Sequence, residues 1–443
     1  MTPYAQRRAR LLAQMHAQGG GVAIIPTAPE VMRNADADYP YRHDSYFYYL
    51  TGFTEPEATL VMVAGDKDQA ILFCREKNEE REIWDGYRYG PGAAREALGV
   101  DAAFSIASID TELPKLMANR PALFYALGSS SGLDDQVKNW LNAVRAQARA
   151  GVSAPSTAID VRVILNEMRL VKDDHEIALM RRAAEITADA HARAMRHSRA
   201  GLREYHLEAE LLHEFRRNGS QFPAYGSIVA AGANACVLHY RAGNAELRDG
   251  ELVLIDAGCE LDSYASDITR TFPVNGKFTG PQKTLYDIVL ASQYAAIAAT
   301  RPGARFTEGH EAALKVLTQG MLDTGLLDKN KVGSVDDAID NGAYRQFYMH
   351  RTGHWLGMDV HDVGDYRDPA PAGTEKPWRT LVPGMVLTIE PGIYVRPAES
   401  VPEQFWHIGI RIEDDALVTP DGCDILTHKA PKTVADIEAV MRG

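Results

Sequence analysis

The sequence predicts an α/β domain followed by an α+β domain, and three observations carry that expectation. At 443 residues the chain is longer than one hydrophobic core ordinarily serves. Over roughly the first 170 residues, short apolar runs (GVAIIP, ATLVMVAG, AILFC, ALFYAL) alternate with helical stretches such as 133–150. Beyond them the order changes, with helical segments first and β-type segments after.

The change of texture falls near Arg169, in MRLVKDDHEIALMRRAAEITADAHARAM. Asp173 can cap a helix there, with Glu176 three residues on as its reciprocal partner. Ile177, Met180, Ala184 and Ala188 then line one helical face. The expected domains are therefore 1–172 and 173–443. In the second, GELVLIDAG, SDITRTFPV, GMVLTIEPGIYV and HIGIRIEDDALVTPDG carry strand composition bounded by Gly, Pro or Asp-Gly turns. The absence of helices between the last segments makes the strands antiparallel.

Composition narrows the function. The balance of 47 basic against 60 acidic residues gives a net charge of −13, which disfavours nucleic acid and anionic membranes as partners. The start, MTPYAQRRARLLAQM, has no apolar signal core, and no stretch approaches a membrane span. Cys74, Cys236, Cys259 and Cys423 are scattered without paired spacing, as expected of reduced thiols in a cytoplasmic protein.

Four acids stand where strands should be apolar. LVLIDAG runs into Asp256, and Asp267 follows eleven residues later in SDITRTF. MVLTIEPG holds Glu390. In IGIRIEDD, Ile408, Ile410 and Ile412 share one face, while Arg411 and Glu413 share the other. One such acid would read as a strand end facing water. Four together point elsewhere, because buried carboxylates are costly unless paired or bound to metal. HRTGHWLGMDVHD adds three histidines, His350, His354 and His361. HxxxH lacks the glutamate of a helical zinc motif, and Gly353 and Gly357 disfavour a continuous helix, so a β-rich path is expected. Four carboxylates neutralise two divalent cations, with one histidine as nitrogen ligand. That donor set suits Mn²⁺, with Co²⁺, Fe²⁺ or Zn²⁺ as alternatives.

The ordered set Asp256, Asp267, His354, Glu390 and Glu413 resembles the metal site of the pita-bread metallopeptidases. The run DAG…SDITRTF, HxxxHxxGxxVHD, EPGIY, GIRIEDD is most similar to bacterial aminopeptidase P, and RNADADYPYRHDSYFYYLTGFTEPEA extends the likeness into the N-terminal half. The resemblance implies a pita-bread catalytic domain with a curved antiparallel sheet. It implies release of the N-terminal residue from Xaa-Pro-Yaa peptides by a hydroxide bridging two metals. Asp256 and Asp267 would bind one ion and His354 and Glu390 the other, with Asp267 and Glu413 bridging. Glu390 would also take the nucleophile's proton. His239 and His361 would hold the scissile carbonyl and its oxyanion, and His350 would shape the proline pocket. Tyr394, Arg411 and Asp36 would form a hydrogen-bond network behind the ligands. Leu238 and Ile228 would wall the first residue's pocket. A dimer or tetramer is implied, with Trp84 lent to a neighbour's site.

Two features depart from the pattern: Tyr46 stands where related sequences carry an acid, and the Pro-rich loop 365–380 is long. The main alternative is a prolidase, which cuts Xaa-Pro dipeptides. Methionine aminopeptidase fits less well because of the long N-terminal domain, and the intact ligand set disfavours metal-free relatives and a pure peptide-binding shell.

Overall fold

The computed structural model describes every residue except 242 and 372. The chain divides into two units, Met1–Met168 and Arg169–Gly443.

The first unit is built on a six-stranded sheet. Its strands are β1 (Gly21–Pro26), β2 (Thr59–Ala64), β3 (Gln69–Cys74), β4 (Ala102–Ser105), β5 (Ala122–Tyr125) and β6 (Thr157–Asp160), in the order β4-β3-β2-β1-β5-β6. β1 runs antiparallel to β2 and parallel to β5, so the sheet is mixed. Alternate residues Val22, Ile24, Val61, Val63, Ile71 and Phe73 face one way and pack with Leu113, Val137, Trp140 and Val144 of two helices. The apolar runs of the sequence are the four central strands. The edge strands β4 (AAFS) and β6 (TAID) carry no such run, because an edge is covered on fewer sides and needs less apolar surface.

Ahead of the sheet, helix Pro3–Ala17 buries Arg7 and Arg8. Their guanidiniums donate to the Tyr49 and Leu50 carbonyls at 3.2 and 2.9 Å, at the end of helix Ser45–Thr51. Those terminal carbonyls have no partner inside their own helix, so two buried cations there are well placed. Tyr46 donates its hydroxyl to Asn166 Oδ1 at 2.7 Å.

In the second unit, Asp173 and Glu176 form the expected capping box on helix Asp174–His197. Met180, Ala184 and Ala188 of that helix are buried, and Ile177 half-buried. The strands are β7 (Phe222–Pro223), β8 (Ile228–Ala231), β9 (Leu252–Asp256), β10 (Cys259–Leu261), β11 (Tyr264–Ala265), β12 (Thr269–Pro273), β13 (Val386–Ile389), β14 (Gly392–Tyr394), β15 (Gly409–Arg411), β16 (Asp414–Thr419) and β17 (Gly422–Ile425). Every strand pair in this unit is antiparallel. They form small sheets, of which β12-β9-β8, β13-β16-β17 and β14-β15 carry the acids. The segment HIGIRIEDDALVTPDG is two strands rather than one. It breaks at Ile412–Glu413, where the Glu413 N–H leaves the ladder to donate to the Thr269 carbonyl at 3.0 Å. Among the described residues, no helix is long and apolar enough to cross a membrane.

Candidate metal centre

Asp256 ends β9, and its register partner across the antiparallel pair is Thr269 on β12. Asp267 therefore arrives at the same sheet end from the other side. Glu390 follows the last residue of β13, and its N–H donates to the Thr352 carbonyl at 2.8 Å. Glu413 occupies the break between β15 and β16.

His354 comes from the 350–362 segment, which is neither helix nor continuous strand; only Trp355 bridges, to Leu387 on β13. Its glycines explain the path. A Cβ on Gly353 would lie 2.0 Å from the Thr388 carbonyl oxygen, and one on Gly357 would lie 2.1 Å from Asp362 Oδ2. Only a bare backbone passes that close to β13 and around the 357–362 bend. The bend itself is fixed by Asp362, buried between Arg169 (2.7 Å) and Lys172 (2.9 Å).

The acids and the imidazole converge. His354 Nε2 lies 3.6 Å from Asp267 Oδ2 and 3.7 Å from Glu390 Oε1. Asp267, His354 and Glu413 each offer a ligand atom within 4.8 Å of the others. His354 Nδ1 donates to its neighbour's carbonyl, Trp355 O, at 2.9 Å, which turns Nε2 toward the carboxylates. Arg411 donates to Asp256 at 2.6 Å, to the Tyr394 hydroxyl at 3.0 Å and to Thr269 at 3.2 Å. Thr269 in turn donates to Glu413 at 2.6 Å. Arg411 and Glu413 thus meet on one hydroxyl, as their shared face suggested.

The remaining histidines surround this group. His361 stacks on His354 with ring centroids 3.9 Å apart. His350 Nδ1 donates to the Arg351 carbonyl at 2.7 Å, so its Nε2 accepts from Tyr394 at 2.8 Å. A cavity of about 610 Å³ opens onto Asp256, Asp267, His354, Glu390 and Glu413, and His239, Leu238 and Ile228 line it with them. Asp36 and Trp84 belong to the first unit. Asp36 lies in an exposed bend, its N–H donating to Asn34 at 3.1 Å, and Trp84 is 80% exposed on helix Glu79–Asp85.

Electrostatics says what the cluster lacks. Burial pushes the Glu390 carboxyl up to about 7 and the Glu413 carboxyl well above the usual range, and it raises Asp267 as well. Burial alone would lower His354, but the adjacent Asp267 and Glu390 carboxylates raise it to about 9. Four carboxylates packed around one guanidinium and one imidazole hold more negative charge than the chain neutralises. Divalent cations are the complement, and a set rich in oxygen donors with one imidazole fits them.

Three participants give no sequence signal. Tyr225 donates its hydroxyl to Asp256 at 2.6 Å and lies against Asp267, yet a lone tyrosine in FPAYGS belongs to no pattern. Thr269 reads as an ordinary strand residue. Asp415 accepts the Asp267 N–H at 3.1 Å and is masked by its two acidic neighbours.

Comparison with known proteins agrees with this geometry. Residues 178–420 match the model of metallopeptidase family M24, and residues 4–125 that of the aminopeptidase P N-terminal domain. The chain is similar to the Xaa-Pro aminopeptidase of Escherichia coli (strain K12), at 47% identity over 99% of this chain and 97% of the relative. It is 44% identical to the Haemophilus influenzae Xaa-Pro aminopeptidase, over 99% and 96%. Among solved structures, Pseudomonas aeruginosa aminopeptidase PepP superposes with a TM-score of 0.95 at 50% identity, covering 99% of this chain and 97% of that one. A variant of Escherichia coli aminopeptidase P in complex with substrate gives 0.94 at 46%, covering 99% and 98%.

Proposed function

The chain belongs to metallopeptidase family M24 and carries an aminopeptidase P N-terminal domain, and on that premise we propose that it is an Xaa-Pro aminopeptidase working with two divalent ions. The observation that carries this reading is the convergence of five ligand-type side chains and three histidines on one cavity. Relatives named Xaa-Pro aminopeptidases match over nearly their whole length, which favours this activity over a prolidase.

In this reading Asp256 and Asp267 would hold one ion and His354 and Glu390 the other, with Asp267 and Glu413 shared between them. Mn²⁺ is the metal we assign; a relative has been solved with zinc substituted, so the donor set is not restricted to one ion. Bound there, the ions supply Lewis acidity for the scissile carbonyl and lower the pKa of a water to give a nucleophile at neutral pH. Glu390, whose carboxyl burial already raises, would accept the nucleophile's proton and pass it toward the leaving nitrogen. His239 and His361 donate to the carbonyl oxygen as charge develops on it. His350, oriented by Tyr394, forms one side of the proline pocket. An Xaa-Pro amide has no N–H and a fixed ring, so shape and imidazole contacts there replace the backbone bonds other peptides would need. Leu238 and Ile228 bound the first residue. Arg411 keeps Asp256 and Tyr394 in place, and the family likeness adds Asp36 to the residues that act with them. Ile83 and Trp84, about four-fifths exposed, are covered by another copy in a dimer or tetramer, with Trp84 reaching its neighbour's cleft.

The test is release of the first residue from Xaa-Pro-Yaa, Xaa-Pro and Xaa-Ala-Yaa peptides by the Mn²⁺-loaded protein. Turnover chiefly of Xaa-Pro-Yaa is expected. Preference for the dipeptide would make the protein a prolidase, and turnover of none would remove the activity altogether.

A further inference from the structure

A second cavity, of about 440 Å³, lies against the other side of the 350–353 segment, so that His350, Arg351 and Gly353 line both. Its size falls in the range of small-molecule sites. The two cavities have opposite character. No carboxylate lines the second, whereas Arg345 and Arg351 both do. Among the described residues neither guanidinium is paired with an acid, in a chain whose acids outnumber its bases by 60 to 47. Each instead lies over an aromatic ring, Arg345 over Tyr344 (5.6 Å) and Arg351 over Trp378 (5.0 Å).

The rest of the lining is aromatic or uncharged. Phe306 and Trp378 supply apolar surface, and Arg367 also lies over the Trp378 ring, at 3.6 Å. On the floor, the buried Thr352 hydroxyl meets His310 Nδ1 at 2.8 Å and the Tyr348 hydroxyl at 2.6 Å. Burial, then the fields of Arg351 and Arg345, lower the His310 pKa, so this imidazole is neutral and offers hydrogen bonds rather than charge. Two unpaired guanidiniums at a mouth with aromatic walls suit a ligand with one planar anionic group and a flat apolar body.

We propose that this cavity is a binding site for a small organic monoanion, its carboxylate received by Arg345 and Arg351 and its apolar part packed between Trp378 and Phe306. The site stands on its lining alone and does not depend on the peptidase reading. It does adjoin that machinery, because Thr352, on the floor, is the residue whose carbonyl receives the Glu390 N–H. Occupancy therefore bears on kcat rather than on entry of substrate to the metal centre.

The carboxylate could belong to a free aromatic acid or to the C-terminus of a short peptide. N-acetylphenylalanine and N-acetyl-Gly-Gly-Phe, both unreactive at the blocked amine, separate the two sources by which binds more tightly. Each is titrated calorimetrically into the Mn²⁺-loaded full chain, alongside N-acetylphenylalaninamide. One saturable site is expected, weakened by about tenfold or more for the amide and for Arg345→Gln, since a charge-assisted bond is lost in each case. Steady-state kinetics should show the acids changing kcat at constant KM in the parent chain and not in Arg345→Gln, whose basal turnover is unchanged. Absence of binding overturns the proposal. So does equal binding by Arg345→Gln, or purely competitive inhibition, which would place the acids at the metal centre.

Discussion

Two groups of buried acids lie side by side in the second unit, and they are built on opposite plans. Asp414 is fully buried between Arg270 and Lys432, each 2.7 Å away, and accepts from Thr427 at 2.7 Å. Burial would raise its carboxyl, but the two cations outweigh burial and hold it below the usual range. One residue earlier, Glu413 belongs to the group whose carboxyls are pushed up. The contrast separates an acid that stabilises a fold from one that awaits a ligand. The first brings its own cations, whereas the second shares too few, and the chain tolerates the imbalance only where an external cation corrects it.

The largest expected effect concerns Glu390, the acid proposed to accept the nucleophile's proton. Glu390→Gln keeps size and hydrogen bonding but cannot accept a proton, so kcat for Xaa-Pro-Yaa should fall by about 10²–10⁴-fold with the far-ultraviolet spectrum unchanged. Near-normal turnover would remove Glu390 from its role.

The comparison itself is broken or kept by paired substitutions read in urea unfolding of the metal-free protein. Asp414→Asn strands the buried Arg270 and the half-buried Lys432 and should cost about 3–5 kcal/mol. Glu413→Gln replaces a carboxyl that burial already keeps protonated with a neutral group of the same size, and should leave stability about equal. If both variants destabilise alike, the two groups do not differ as described.

A smaller effect sharpens the same distinction through pH. His354 is raised to about 9 in the fold from an ordinary 6.5, so between those values the folded chain binds a proton that the unfolded chain does not. His354 alone should therefore lower the stability of the metal-free protein as pH rises from 7 to 9, with a slope of up to about 1.4 kcal/mol per pH unit, and the raised Glu413 carboxyl steepens the fall. The histidines lowered by burial, such as His350 and His191 at about 4, are neutral in both states over this window and do not oppose it. Mn²⁺ should flatten the slope, and a slope unchanged by metal would argue against His354 as a ligand.

Much of this site was legible in the sequence because strands carry their alternation openly. Asp256, Asp267, Glu390 and Glu413 each interrupt an apolar run, and the fold gathers the ends of those runs. What alternation could not do was sort Glu413, Asp414 and Asp415, because the chain leaves the ladder at Ile412 and the three acids then take separate partners. Tyr225 was invisible for a different reason: its role depends on two carboxylates 31 and 42 residues away. The second cavity draws on residues 306–310, 344–353 and 378, which no local pattern connects.

The run of three acids also bears on how this chain can change over generations. Glu413 reaches toward the metal cavity, Asp414 joins Arg270, and Asp415 holds the backbone of Asp267. β16 is also locked in register, Asp414 opposite Ile389. Inserting or deleting a single residue there would exchange a ligand for a structural anchor in one step, so length is frozen at that point. The 365–380 loop is the opposite case. Its base is closed by bonds from Arg379 to Tyr366 and from Asp368 to Pro377, both at 2.9 Å, so residues can be added at its tip without disturbing either cavity wall. An insertion between Asp368 and Pro377 should therefore be tolerated where one between Glu413 and Asp414 is not.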